Sequence, residues 1–116
     1  MKLIIVRHGV TEWNKNNKIQ GCFDIPLSDE GIQQGYLLAN KLKKFNIEQI
    51  FSSDLNRAKN TAKIIGNVLN LSFSEDSRLR EMNFGEWQGL SFDQIIISDK
   101  FKLEQWRTHP SVVKFK

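Results

Sequence analysis

A chain of 116 residues with 40% hydrophobic and 26% charged residues has the composition of one small globular domain, which excludes a disordered or collagen-like chain. Its 17 Lys+Arg against 13 Asp+Glu give a net charge of +4, spread along the chain without a basic block, so no nucleic-acid arm is expected. One cysteine, Cys22, excludes an internal disulfide framework and fits a reducing compartment. The runs Leu3–Val6 and Ile95–Ile97 are too short to span a membrane. Arg7 and His8 interrupt the first run before signal-peptide length, so a cytoplasmic protein is expected.

In chain order, Lys2–Val6 is apolar and β-branched, which predicts a buried strand in the middle of a sheet, ended by Arg7-His8-Gly9. Residues 13–26 are Asn-rich with Gly21 and Pro26 and read as a loop with a helical turn. Ser28 can cap a helix with Asp29 and Glu30 in its first turn. Leu37, Leu38, Leu42 and Phe45 give that helix an apolar spacing to about Lys44. Gly31 and Gly35 weaken it, and close packing is the better reason for small residues there. Gln49–Ser52 predicts a second strand, and Ser53 or Asp54 can cap the next helix, with Ala58, Ala62, Ile65 and Leu69 facing inward. Leu71–Phe73 offers a third strand. Residues 78–90 read as a structured loop. Ser91 caps a helix to about Ser98, and a last helical piece near Phe101–Arg107 ends before Pro110. Strands alternating with helices predict an α/β fold with parallel strands.

In parallel sheets, ligands bind beyond the carboxyl ends of the strands. Arg7 follows the first predicted strand directly, and Arg57 lies one helical turn beyond the second. Two guanidiniums at one edge can clamp a phosphate, each donating in bidentate geometry. His8 shares that edge, and a neutral imidazole, with a reference pKa of about 6.5, is a competent nucleophile. Gly9 lets the backbone turn closely around a bound group. Taken singly, an arginine at a strand end is most often a surface ion pair, and a lone histidine is most often structural. Together, on an apolar strand, they need a reason, because a buried cation is costly without a partner.

The run L-I-I-V-R-H-G-V-T-E-W-N at residues 3–14 resembles the signature of the histidine phosphatase superfamily, which includes cofactor-dependent phosphoglycerate mutases. Three further blocks match in order. Gln20-Gly21 with Asp24-Ile25-Pro26-Leu27-Ser28 is similar to the family's substrate loop. Ser52–Ala58 with Thr61-Ala62 resembles its second arginine segment, and Leu79–Gly89 its acid loop. The implied fold is a phosphoglycerate mutase-like three-layer α/β/α domain over residues 1–116, with a mainly parallel sheet.

The resemblance implies that His8 takes the phosphoryl group while Arg7 and Arg57 hold its oxygens, with Asn14, Gln20 and Gly21 completing the phosphate pocket. Glu81 would protonate the leaving alcohol and then activate water; its bland alternative is an ion pair with Arg78 or Arg80. Trp13 and Trp87 are expected to pack around the rim. No cofactor is implied, and Cys22, Asp24, His8 and His109 lack the spacing of a metal site. The substrate implied is a small phosphomonoester, with no nucleic acid and no membrane as partner. Asn83–Gly89 resembles the phosphatase branch, which includes broad-specificity and α-ribazole phosphatases, more than the mutases. Hydrolysis is therefore expected over phosphoglycerate mutase-type transfer.

Val10 stands where the family often has Glu or Gln. The larger departure is C-terminal. Family members continue with a Gly-Glu-Ser segment, helices and a central strand ending in a second histidine, for which His109 is no substitute. The sequence resembles roughly the first three-fifths of such a domain. A catalytically impaired, phosphate-binding remnant is accordingly the alternative to an active enzyme. Without that strand, Lys2–Val6 would expose an apolar edge, for which a homodimer is expected.

Overall fold

The structure is a computed structural model that describes residues 1–116. It is a mixed α/β arrangement of α1 (Glu12–Lys15), α2 (Asp29–Leu42), β1 (Ile50–Ser52), α3 (Asn56–Leu69), β2 (Phe73–Glu75) and α4 (Phe92–Thr108), with single 3-10 turns at Ser77–Leu79, Gly85–Trp87 and Pro110–Val112. Two compact units are distinguishable: residues 1–12 with 24–80, and residues 13–23 with 81–116.

In the first unit, β1 and β2 form a parallel pair in the register Ile50–Phe73, Phe51–Ser74 and Ser52–Glu75. The crossover that such a parallel pair needs is supplied by α3. Ser28 caps α2 as expected, accepting from Gly31 N. The buried face of α2 keeps Leu42 and the close packing expected at Gly31 and Gly35, and departs from expectation at Leu37 and Phe45. Gly31, Gly35, Ala39 and Leu42 are buried, whereas Leu37 is 65% exposed and Phe45 lies beyond the helix end. The small residues win because they admit a partner: a Cβ on Gly35 would sit 3.1 Å from Ile64 Cδ1 of α3. Ala39, Leu42 and Ile65 form the core, with Val6, Ile50, Val68 and Leu69 packed against it.

The predicted strand Lys2–Val6 is not one. Residues 1–10 carry no regular element, and Leu3 and Ile5 are 80% and 87% exposed. An apolar run becomes a strand only when a neighbour completes its ladder, and the sheet here consists of β1 and β2 alone. The third strand forms two residues later than expected, because its register is set by β1. The N-cap of α3 is Leu55, which has no capping side chain. Ser53 Oγ instead accepts from Leu55 N, and Asp24 accepts from Asn56 N at 2.7 Å, so a carboxylate from a distant loop does the capping.

The second unit has an aromatic core. Trp87, Ile95 and Leu103 are 1%, 0% and 2% exposed, with Ile19, Phe84, Leu90, Trp106 and Phe115 packed around them. Phe115 meets the rings of Trp87, Phe84 and Trp106 edge-on at centroid distances of 4.8, 5.4 and 5.9 Å. The two expected C-terminal helices lie end to end within α4, separated at Asp99, whose φ of −153° and ψ of 44° are non-helical and whose carboxylate accepts from Trp87 Nε1. Ser91 and Gln94 close a capping box at its start. Residues 17–19 run antiparallel to 89–92, joined by Ile19 N to Leu90 O, Gly89 N to Ile19 O and Phe92 N to Asn17 O.

Candidate active site

Arg7 and His8 end the extended N-terminal segment, Arg7 exposed and His8 half-buried. His8 Nδ1 lies 2.6 Å from Gly9 O. A carbonyl can only accept, so Nδ1 carries the proton in this contact and Nε2 is the basic nitrogen of the neutral ring. The turn after His8 is held on three sides. Gly9 N donates to Thr61 Oγ1 of α3 at 3.1 Å, Val10 N to Gln34 Oε1 of α2 at 2.9 Å, and Val10 O accepts from Ser28 N and Oγ. Glycine is needed on both sides of this approach: a Cβ on Gly9 would lie 2.4 Å from Gly31 O, and one on Gly31 2.2 Å from Val10 O.

Arg57 opens the first turn of α3 and is 2% exposed. A guanidinium so buried is held by protein partners rather than water, which sets it apart from a surface ion pair. One turn later, Thr61 is 4% exposed and donates its hydroxyl to Arg57 O at 2.7 Å while accepting from Gly9 N. Thr61 therefore ties the His8 turn to the turn of helix that carries Arg57. The sequence signals Thr61 only by its place in the second arginine segment and its i, i+4 spacing from Arg57, neither of which gives this role. Asp24, quoted for its loop, is the second such residue, because it fixes the start of α3.

The remaining candidates belong to the second unit. Asn14 sits half-buried in α1, Gln20 is 7% exposed, and Gly21 is buried at φ +53°. Glu81 is exposed, and its Oε1 accepts from Met82 N at 2.8 Å. Arg78 binds Asp76, and Arg80 binds Asp54 through two hydrogen bonds of 2.6 Å. The Arg80 guanidinium holds the Asp54 carboxyl below its ordinary value. Cys22 Sγ lies 3.3 Å from Glu81 O, and Gln88 Oε1 accepts from Cys22 N at 2.8 Å. Trp87 is a core residue rather than a rim residue. No group of His, Cys, Asp and Glu is arranged to hold a metal ion, and no helix is long and apolar enough to cross a membrane.

A histidine on a turn that Thr61 ties to the helical turn of a buried arginine is the arrangement the first unit offers. The chain belongs to the histidine phosphatase superfamily, branch 1, whose family model matches residues 3–116. A probable phosphoglycerate mutase of Yersinia pestis is 40% identical over 107 residues, which are 92% of this chain and 48% of that protein. A mycobacterial glucosyl-3-phosphoglycerate phosphatase, solved with VO3, is 40% identical with a TM-score of 0.81 over 86% of this chain and 48% of that one. A phosphoserine phosphatase of Entamoeba histolytica, solved with 3-phosphoglyceric acid, is 34% identical with a TM-score of 0.80 over 94% and 53%. The chain thus spans about half the length of the relatives it matches, less than the three-fifths expected.

Proposed function

We propose that this chain carries the phosphohistidine-forming part of a histidine phosphatase domain of three α/β/α layers, and that it hydrolyses a small phosphomonoester. One observation carries the reading most: His8 presents Nε2 as its basic nitrogen from a turn that Thr61 ties to the helix of Arg57. In the first step Nε2 attacks phosphorus, the P–O bond to the alcohol breaks, and the Glu81 carboxyl protonates the departing oxygen. Arg7 and Arg57 spread the charge over the phosphoryl oxygens, with Asn14, Gln20 and the Gly21 backbone donating around them. In the second step Glu81, now a carboxylate, takes a proton from water as its oxygen attacks phosphorus. The P–N bond breaks, inorganic phosphate leaves, and both groups return to their starting forms.

Hydrolysis is favoured over isomerisation by the acid-loop sequence Asn83–Gly89 and by the two solved relatives that are phosphatases; the Yersinia relative supports the mutase alternative. Turnover is expected to be slow and to persist in EDTA. The test is incubation with a phosphomonoester followed by acid treatment of the trapped protein. An acid-labile phosphohistidine, absent in His8→Ala, is the expected result. Turnover that is unchanged in His8→Ala would sink the reading. Conversion of 3-phosphoglycerate to its 2-isomer without phosphate release would favour the mutase alternative. Phosphate binding with no turnover would leave a binding remnant.

A further inference from the structure

The antiparallel pairing between residues 17–19 and 89–92 stops at Ile19 and Gly89, and beyond it one side chain continues the contact. Gln88 Oε1 accepts from Cys22 N at 2.8 Å and from Phe84 N at 3.3 Å. A single amide oxygen thereby holds a backbone N–H from each of two loops, the one that carries Gln20 and Gly21 and the one that carries Glu81. Cys22 adds a second link, its thiol donating to Glu81 O. The space for Gln88 is made by Gly21. A Cβ at that position would lie 2.2 Å from Gln88 Oε1, 2.9 Å from Cδ and 3.0 Å from Cγ. At φ +53° Gly21 also turns the chain so that Cys22 N faces the amide.

We propose that Gln88 is a positioning residue: it holds the Glu81 loop in register with the Gln20–Gly21–Cys22 loop, and Gly21 is a glycine to admit it. The proposal deepens the phosphatase reading and rests on it for the roles of Glu81 and the phosphate loop. Gln88 itself touches no reacting atom. Its effect on rate runs through Glu81, because proton donation to a leaving oxygen is sensitive to small misplacements. An oxygen acceptor at this position is what the two N–H groups require, so a carboxylate can replace the amide whereas a thioether cannot.

The experiment uses the full chain with Gln88→Met and Gln88→Glu. Amide exchange followed by NMR should be about tenfold or more faster at Cys22 and Phe84 in Gln88→Met, and close to the parent in Gln88→Glu. Unchanged exchange in Gln88→Met would overturn the proposal. In a chain that turns over, Gln88→Met should lower kcat/KM for an alkyl phosphate about tenfold more than for p-nitrophenyl phosphate, whose leaving group hardly needs a proton, and Gln88→Glu should restore the ratio. Equal losses on both substrates would make Gln88 merely structural and would also overturn it. A parent without turnover defeats the phosphatase reading alone. The backbone resonance of Glu81 then decides: displaced in Gln88→Met and restored in Gln88→Glu supports positioning, and an unmoved resonance ends it. Should Gln88→Met fail to fold, Gln88→Asn, which withdraws the oxygen by one methylene, reads the same amides.

Discussion

The two compact units hold their candidate residues by different means. Residues 1–12 with 24–80 rely on regular elements: two helices meet through Gly35, Ala39, Ile64 and Ile65, and the turn after His8 is hydrogen-bonded to both of them. Residues 13–23 with 81–116 rely on rings and side-chain hydrogen bonds, with Trp87, Phe84, Trp106 and Phe115 stacked edge to face and Gln88 joining two loops. The turn after His8 is held by side chains that project from two packed helices. The loop that carries Glu81 is held by side chains that themselves lie on loops. The second arrangement is the more sensitive to single substitutions remote from the chemistry.

The largest effect should come from the aromatic core. Trp87→Ala should cost roughly 3–5 kcal/mol, through the cavity left in a fully buried site. The loss should be read in amide exchange across α4, while α2 and α3 keep the parent's protection. Equal acceleration in both sets of helices would break the comparison. Next, Glu81→Gln should lower kcat/KM for an alkyl phosphate about 10²-fold more than for p-nitrophenyl phosphate, since kcat/KM reports the phosphoryl-transfer step and only the poorer leaving group needs the proton there. A matching loss on both substrates would remove Glu81 from the acid role.

A smaller effect is expected at Thr61. Thr61→Val keeps the shape but leaves Gly9 N without its acceptor. It should therefore slow turnover of both substrates about tenfold, as a misplaced nucleophile would, with little change in the leaving-group ratio. Unequal losses would contradict a role through His8. Association is the fourth test. Leu3, Ile5 and Phe51 expose apolar surface in the first unit, and a homodimer through that surface should dissociate in Leu3→Lys/Ile5→Lys, as seen by light scattering. A parent that is already monomeric at tens of micromolar would remove the expectation.

The smallest effect is electrostatic and belongs to the second unit. The Lys102 ammonium, with the backbone amides of Glu86 itself and of Lys116, holds the Glu86 carboxyl at about 2, against an ordinary 4.5. Because the folded value is the lower one, the contribution is complete above 4.5 and is lost as pH falls through that window towards about 2. The pair is part-exposed, so the effect is modest and weakens with salt. Lys102→Met should flatten this acid limb of the second unit's unfolding curve. An unchanged curve would show that Lys102 acts only by covering the Trp87 and Phe115 rings.

Much of this was legible in the sequence. Ser28 with Asp29 and Glu30, Ser91 with its capping partner, and the apolar spacing of residues 58–69 are local signals, and local signals determine helices because each hydrogen bond closes within four residues. Membership of the family was equally legible, since Arg7-His8-Gly9, Arg57 and Glu81 stand in ordered blocks. What only the tertiary structure decided depends on neighbours remote in sequence. Leu3–Val6 has a strand's composition, but no periodicity can say which ladder will receive it. The buried face of α2 went to Gly31, Gly35 and Ala39 because the backbone of residues 9–10 and the side chain of Ile64 come close there. Thr61 and Gln88 acquired their partners across 52 and 66 residues of chain, a distance over which sequence spacing carries no geometric information.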